Sequence, residues 1–358
     1  MQPLLAPLRF PRGPAMPNRF MVAPLTNSSS HADGTISERE HRWLEMRAQG
    51  GFGATMTCAA HVQAVGQGFP GQLGVFGDQH LPGLTGIAHA IRAHGSVALM
   101  QLHHAGNRSP KALIGTTPVC PSDDPVSGAR SLTTAEVEAL AEDFIAAARR
   151  AELAGFHGVE LHGAHGYILC QFLSDEINQR QDRYGGSLDN RARLLLDIID
   201  GIRRVCGPDF IVGVRLSPER FGMRLAEIRE LAQRLIDGGQ VDFLDMSLWN
   251  CFKHAIEPGY DHKPLIDWFG DLERRNVPVG AAGKLYQPAE AQRALDAGMD
   301  FVLLGRMAIL HHDYPARLAT DPEFSPSGLP VSVDYLTSEG LGPEFIEYMR
   351  QWKGFVAD

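Results

Sequence analysis

Cysteine is scarce in this sequence of 358 residues. Its five cysteines lie far apart in the chain, their number is odd, and no CxxC motif occurs. This pattern excludes a disulfide framework and does not match the ligand spacing of a zinc or iron–sulfur site. It is typical of a reducing compartment, so we expect a cytoplasmic protein. The cysteines are Cys58, Cys120, Cys170, Cys206 and Cys251.

Long apolar runs and an excess of positive charge are also missing. No stretch of about 18 apolar residues occurs, the length that a membrane span would need. Pro and Arg interrupt the N-terminal sequence MQPLLAPLRFPRGPAMPNRF, so we predict no signal peptide. Lys and Arg number 33 against 42 Asp and Glu, which gives a net charge of −9. This balance disfavours nucleic acid or an anionic membrane as a partner.

The apolar residues that are present follow a repeated pattern. They make up 44% of the chain, enough for a full core in a soluble globular protein. Short apolar runs bounded by Gly and Pro alternate about eight times with segments of helical period. The candidate strands are residues 19–23, 53–57, 96–102, 158–162, 210–216, 242–247, 277–281 and 301–305.

Strand and helix repeated in this way predict an α/β protein built as a (β/α)8 TIM barrel. We expect a single domain over residues 1–358, with residues 320–358 as a C-terminal extension. An open doubly wound sheet is the alternative, but no candidate strand is followed by the GxGxxG motif of a dinucleotide-binding crevice. In a TIM barrel the chemistry lies on the loops after the strands.

Two helix starts carry capping signals, and one connection is unusually long. Ser37 with Glu40, and Thr133 with Glu136, both match the capping box, in which each side chain accepts a hydrogen bond from the other residue's backbone N–H. The loop over residues 103–132, after the third candidate strand, has no apolar periodicity. Loops of that length in compact domains are usually functional or mobile.

The densest group of polar residues follows the fourth candidate strand, in the sequence VELHGAHGYIL. Here His162, His165 and Tyr167 leave the strand together at the catalytic end of a barrel. Two imidazoles can donate hydrogen bonds to one carbonyl oxygen, and a nearby phenol can supply a proton. A metal site is a competing interpretation, but the spacing identifies no third ligand. In a purely structural interpretation, these histidines only form hydrogen bonds within the turn.

Near the C-terminus, two candidate strands in succession end in turns that contain glycine. Backbone N–H groups at Gly283 and Gly305, with Lys284 and Arg306 beside them, could bind a phosphate between the seventh and eighth units. Ordinary turn chemistry explains the same glycines equally well. Further polar residues stand at other strand ends: Thr26 after the first strand, Gln101 at the third and Arg215 at the fifth.

Taken together, these segments resemble the old yellow enzyme family of FMN-dependent ene-reductases, also called NADH:flavin oxidoreductases. The resemblance covers residues 3 to 315 and rests on motifs that occur in the family's order. They are VAPLT (22–26), QLHHAG (101–106), VELHGAHGYIL (159–169), NQRQDRYGGSLDNR (178–191), VGVRLS (212–217) and LLGRM (303–307). The implied fold is an eight-stranded barrel that holds noncovalent FMN.

The resemblance also implies roles for individual residues. His162 and His165 correspond to the pair that binds the substrate oxygen, and Tyr167 to the donor of a proton to the substrate carbon. Thr26 corresponds to the residue that hydrogen-bonds flavin O4, and Arg215 to the cation beside N1 and O2. The other implied contacts are Pro24, Ala59 and Gln101 at the flavin ring, and Gly283, Gly305 and Arg306 at the phosphate.

The implied reaction has two half-reactions at one flavin face. NAD(P)H reduces FMN and leaves, and an α,β-unsaturated carbonyl compound or related activated alkene then binds and is reduced. We expect small-molecule substrates. The sequence is also compatible with a homo-oligomer. The alternative is a metal-dependent lyase or hydrolase that uses His162 and His165 as ligands. A related flavin enzyme that acts on tRNA is disfavoured by the net charge.

Overall fold

A computed structural model describes residues 2–357 and forms a closed barrel of eight parallel strands. All eight predicted strands are present, and the predicted TIM barrel is confirmed. The barrel strands are β1 (Phe20–Val22), β2 (Ala54–His61), β3 (Val97–His103), β6 (Gly158–Gly163), β7 (Ile211–Leu216), β8 (Phe243–Ser247), β9 (Val279–Ala282) and β10 (Phe301–Leu304). Their order around the barrel is β1-β10-β9-β8-β7-β6-β3-β2. Outside the barrel, β4 (Val119–Cys120) pairs with β5 (Arg130–Ser131).

Helices follow the strands, as the repeated unit requires. Those of the barrel body are α2 (Glu38–Gln49), α3 (Leu81–Ala93), α5 (Thr134–Leu153), α6 (Ile168–Leu173), α7 (Leu188–Val205), α8 (Leu225–Asp237), α9 (Asp267–Gly270), α10 (Pro288–Asp296), α11 (Arg306–Leu310) and α12 (Tyr314–Thr320). Short helices α1 (Gln2–Leu5) and α4 (Lys111–Ile114) precede β1 and β4, and α13 (Val333–Ser338) and α14 (Pro343–Arg350) lie near the C-terminus. Within residues 2–357, none of the helices is both long and apolar enough to cross a bilayer.

The two predicted capping boxes have different outcomes. The box at Thr133 is complete, because the Glu136 carboxylate accepts from the Thr133 N–H at 2.8 Å and the Thr133 hydroxyl accepts from the Glu136 N–H at 3.2 Å. At Ser37 only half of it forms. The Ser37 hydroxyl accepts from the Glu40 N–H, but the Glu40 side chain points inward and accepts from Asn27 Nδ2 at 2.9 Å. The capping-box prediction was wrong for Glu40, because burial against tertiary partners outweighs the local contact.

The N-terminal segment closes the end of the barrel at which the strands begin. Leu8 and Met16 form an isolated antiparallel bridge, and both are buried. Phe10 packs on Phe243 inside the barrel with a ring separation of 5.5 Å. These side chains join the barrel residues in one apolar cluster, so the pocket described below is at the other end, where the strands terminate.

The long connection and the C-terminal extension both pack on the barrel. The 103–132 connection contains α4 and the small β4–β5 pair. In the extension, Phe345 of α14 is buried and packs edge-on against Trp43 of α2, with the ring centres 5.5 Å apart. This contact holds α14 beside the carboxyl ends of the strands.

Candidate active site

A cavity of about 730 Å³ opens at the carboxyl ends of the barrel strands. This volume is within the range of roughly 300–1,000 Å³ that is common for cofactor and ligand sites. All the residues that the sequence singled out line this one cavity, although they come from seven different strands or their loops. They are Pro24, Thr26, Ala59, Gln101, His162, His165, Tyr167, Arg215, Gly283, Gly305 and Arg306.

The HGAHGY turn, which carries the three candidate side chains His162, His165 and Tyr167, has an unusual backbone path. His165 has φ of 61° and Gly166 has φ of 72°, so two successive residues are left-handed. For a histidine this conformation is uncommon and costs free energy, and such strain is often found at functional sites. Gly166 has no room for a side chain, because a Cβ there would come within 2.8 Å of the Phe221 ring. The turn then leads into α6, with Tyr167 as the N-cap residue.

Four side chains form a continuous hydrogen-bonded row along one wall of the cavity. His103 Nδ1 lies 3.1 Å from His162 Nδ1, His162 Nε2 lies 2.9 Å from His165 Nδ1, and His165 Nε2 lies 2.7 Å from the Ser247 hydroxyl. Burial lowers the pKa values of all three histidines well below the ordinary value, so they are neutral near pH 7. Neutral imidazoles can donate or accept, depending on the tautomer.

His162 and His165, which the sequence predicted as two donors to one ligand oxygen, are hydrogen-bonded to each other within this row. For both His162 Nε2 and His165 Nδ1 to donate to a ligand oxygen, each of these nitrogens must carry a proton. The ligand oxygen then replaces their direct hydrogen bond, in which one of the two nitrogens accepts. The opposite nitrogens must then accept, from His103 at one end and from the Ser247 hydroxyl at the other. The row can supply both of these hydrogen bonds, because each outer partner has a proton to donate.

Tyr167 lies next to this row and under a cation. Its ring packs edge-on against His103 at 4.3 Å, and the Arg108 guanidinium lies 4.7 Å from the ring centre. Burial raises the pKa of Tyr167, and the charge of Arg108 opposes that rise. The phenol is therefore protonated at neutral pH and lies beside a group that stabilises the phenolate left after proton transfer.

At the base of the cavity, one buried guanidinium lies near two buried carboxyl groups. Arg215 Nε lies 2.9 Å from Asp245 Oδ2, and Gln101 Nε2 donates to Glu160 Oε1 at 2.7 Å. Burial raises the pKa of Glu160 to about 8, and the neighbouring Asp245 raises it further while Arg215 opposes the rise. Burial also raises the pKa of Asp245 to about 6, against the effect of Arg215. A protonated Glu160 carries no charge. The positive charge of Arg215 is then balanced by the negative charge of Asp245.

The opposite end of the cavity combines glycines with cations. A Cβ at Gly283 would lie 3.0 Å from the Cys251 backbone nitrogen, so a side chain there would press on the neighbouring backbone. Lys284 and Arg306 line the same end. Arg306 donates to the Tyr286 hydroxyl. Among the described residues no Asp or Glu lines the cavity, which favours an anionic ligand group here.

These features fit FMN as the bound group. Small and apolar side chains at Pro24, Ala59 and Ala282 leave space for a flat ring system. Arg215 is placed to face a ring that develops negative charge, and Lys284 and Arg306 supply cations for a phosphate.

Three aromatic side chains and one methionine from the C-terminal extension complete the wall. Phe345, Tyr348, Met349 and Trp352 all line the cavity. Trp352 lies 5.1 Å from the guanidinium of Arg306. The extension, to which the sequence assigned no role, is therefore part of the site.

Sequence reasoning also missed several residues inside the barrel and its loops. His103 and Ser247 position the histidine pair, and Glu160 and Asp245 surround Arg215. The only sequence signal that could have identified these four residues is their position in strands whose ends form the site. Arg108, from the long connection, is the fifth residue that was not identified, and its distance from the HGAHGY motif in sequence concealed it.

A metal centre finds no support in this geometry. Within residues 2–357, no group of three or more His, Cys, Asp or Glu side chains is arranged to hold a metal ion. The third ligand that a metal-dependent lyase or hydrolase would need beside His162 and His165 is therefore not found among these residues.

Sequence comparisons identify relatives over most of the chain. Residues 3–323 match the model of the NADH:flavin oxidoreductase / NADH oxidase family. A probable NADH-dependent flavin oxidoreductase of Bacillus subtilis is 35% identical over 328 residues, which cover 88% of both proteins. An NADH:fumarate oxidoreductase of Klebsiella pneumoniae is 36% identical over 336 residues, but this chain spans only 36% of its length.

Structural comparisons agree with this assignment. An old yellow enzyme homologue from Zymomonas mobilis is 28% identical with a TM-score of 0.79, over 94% of this chain and 98% of its own. Morphinone reductase in complex with tetrahydroNAD is 28% identical with a TM-score of 0.79, over 99% and 98% of the two chains. These matches confirm the predicted FMN oxidoreductase class and give no support to a lyase or hydrolase. The chain belongs to the NADH:flavin oxidoreductase / NADH oxidase family.

Proposed function

We propose that this protein uses NAD(P)H and noncovalent FMN to reduce the C=C bond of α,β-unsaturated carbonyl compounds or related activated alkenes. The observation that supports this most strongly is the row His103–His162–His165–Ser247 beside the buried phenol of Tyr167. It places two neutral hydrogen-bond donors and one proton donor on the same cavity wall. Reduction of a conjugated carbonyl compound needs this set of groups.

In this proposal FMN, when bound, supplies the hydride chemistry that amino acid side chains lack. His162 Nε2 and His165 Nδ1 donate hydrogen bonds to the carbonyl oxygen and draw electron density from the alkene. His103 and Ser247 hold both rings in the tautomer that this requires.

Proton transfer belongs to Tyr167. Hydride addition at the β-carbon leaves negative charge on the carbonyl oxygen and the α-carbon, and the phenol of Tyr167 protonates that carbon. Arg108 stabilises the resulting phenolate from across the ring. Arg215 places a positive charge at the opposite side of the site.

The test is anaerobic turnover of 2-cyclohexenone with NADH and, separately, NADPH. We expect cyclohexanone to form in an amount equal to the nicotinamide coenzyme oxidised. Coenzyme oxidation that occurs only in air, with no cyclohexanone, would contradict the proposal, because it would make oxygen the only acceptor.

We also propose that the protein acts in the cytoplasm on small molecules. The five free cysteine thiols in the described part of the chain support a reducing compartment. The homo-oligomer with which the sequence is compatible stays a prediction.

A further inference from the structure

The cavity has a strong excess of one charge. Five cationic side chains line it, and no carboxylate does so among the described residues, although the whole chain has a net charge of −9. The five are Arg108, Arg215, Arg220, Lys284 and Arg306. Such a concentration of one charge in a cleft raises the local concentration of ligands with the opposite charge.

Three of these cations have a role in cofactor binding under the proposed function. Lys284 and Arg306 lie at the end that fits a phosphate. Arg215 is ion-paired with Asp245 below the ring position. Arg108 and Arg220 have no such role. Arg108 supports Tyr167 through the face of its ring, but the N–H donors of both guanidinium groups still need a partner.

Arg108 is held directly at the place where the reaction would occur. Its Nη1 donates to the backbone oxygen of His165 at 2.6 Å, and its guanidinium lies over the ring of Tyr167. No Asp or Glu of residues 2–357 lies within ion-pair distance of Arg108. A guanidinium has five N–H donors, so after the contact with His165 it keeps donors for a ligand.

Arg220 lines the same cavity from the loop after β7. It stands at φ of 67° in the loop after β7, and its neighbour Phe221 packs against Gly166 of the HGAHGY turn. The Arg220 guanidinium lies 4.6 Å from the centre of the exposed Trp249 ring. The adjacent carboxylate cannot neutralise it, because Glu219 is buried and paired with Lys253. Within the described chain, Arg220 too has no carboxylate partner.

We propose that Arg108 and Arg220 bind an anionic group, a carboxylate or a phosphate, on the alkene substrate in addition to its activating carbonyl group. This inference rests on the proposed function, and it names the class of acceptor: activated alkenes that carry a negative charge. Both arginines line the cavity that contains His162 and His165, so a substrate whose carbonyl oxygen meets the two histidines has its remaining substituents in the same cavity as these two charges. Arginine suits this role because its planar group can form paired hydrogen bonds with either anion.

The pyrophosphate of NAD(P)H is the other source of such an anion. In that coenzyme the phosphates are separated from the reacting ring by a ribose, whereas Arg108 lies on the Tyr167 ring, beside the reacting atoms. This position favours the alkene substrate. The two sources also act in different half-reactions, so kinetics can separate them.

The experiment compares two maleimides that share one reacting ring, neutral N-ethylmaleimide and anionic 3-maleimidopropanoate. The FMN-loaded enzyme is first reduced with NADH in the absence of air, and reoxidation by each maleimide is followed by stopped-flow absorbance. In the wild type at low salt we expect the anion to react about tenfold faster at limiting concentration, and added NaCl to reduce this preference. The ratio of the two rates cancels any effect that is common to both acceptors.

Three variants locate the effect. Arg220→Gln should reduce the preference for the anion to about threefold, and Arg108→Gln combined with Arg220→Gln should abolish it. Lys111→Gln removes an exposed cation of the long connection that does not line the cavity, and it should keep the wild-type ratio.

The possible results are distinct. An equal preference for the anion in the wild type and in both arginine variants would overturn the inference. So would a slower reduction by NADH in the arginine variants with an unchanged acceptor ratio, because the bound anion would then belong to the coenzyme. If neither maleimide reoxidises the enzyme, the proposed function itself is wrong, and the inference falls with it.

Discussion

A glutamate that keeps its proton at neutral pH should make folding stability depend on pH. The pKa of Glu160 is raised from an ordinary value of 4.5 to about 8 by complete burial and by Asp245. Between these values the folded protein holds a proton that the unfolded chain releases. The contribution of this proton to the free energy of unfolding is therefore at its maximum below pH 4.5. It decreases by about 1.4 kcal/mol per pH unit as the pH rises towards 8.

The Glu160→Gln variant tests this prediction. Glutamine keeps the size of the side chain and the oxygen that accepts from Gln101, but it cannot lose a proton. From about pH 6.5 to about pH 8, the wild type should lose roughly 1.5 kcal/mol that the variant keeps, because Glu160 is half deprotonated at the upper limit. Buried neutral histidines affect the profile mainly below this window, and they are common to both proteins.

The assay is urea unfolding of the FMN-loaded proteins at both pH values, with FMN in fixed excess. Glu142→Gln, at an exposed position of α5, serves as the control for the loss of one carboxylate at the surface, and it should follow the wild type. Parallel changes in the free energy of unfolding for the wild type and Glu160→Gln would refute the reasoning, since they would mean that Glu160 is already ionised at pH 6.5.

Three further predictions concern the roles of individual side chains. Tyr167→Phe should slow enone reduction by roughly 10² or more and leave flavin reduction by NAD(P)H near the wild-type rate, as stopped-flow measurement of each half-reaction can check. His162→Ala and His165→Ala should each weaken phenol binding by about 1–3 kcal/mol in titrations of the flavin spectrum, and unchanged titrations would remove both from the oxygen-binding role. Arg306→Met should weaken FMN binding by about 1.5–3 kcal/mol, measured by quenching of FMN fluorescence, and an unchanged affinity would place the phosphate elsewhere.

The sequence predicted the barrel well because local signals repeat eight times. Buried strands leave apolar runs that need no tertiary information to recognise. The HGAHGY turn was also identifiable, since its functional residues lie within six positions of one another. The same holds for the complete capping box at Thr133.

What the sequence did not predict depends on contacts between distant segments. Strand register places Gln101 beside Glu160, 59 positions away, and Arg215 beside Asp245. The sequence of a short strand indicates that a residue is buried. It does not show which side chain of the neighbouring strand lies beside that residue. Glu40 illustrates the same limit, because its local pattern predicted a cap and its tertiary partners decided otherwise.

The C-terminal extension shows this limit on a larger scale. Its motifs matched nothing in the resemblance, yet α14 contributes Phe345, Tyr348 and Met349 to the cavity wall. Their position follows from packing of Phe345 on Trp43, a contact across about 300 residues of sequence.

The most direct test of the central claim follows the bound flavin through one complete cycle without air. The purified protein is reduced with one equivalent of NADH or NADPH, and 2-cyclohexenone is then added while the flavin absorbance is recorded. The proposed function predicts that the absorbance falls with the coenzyme, returns with the enone, and is accompanied by one equivalent of cyclohexanone. A flavin that stays reduced in the presence of enones and maleimides, or a protein that releases no FMN on denaturation, would contradict it.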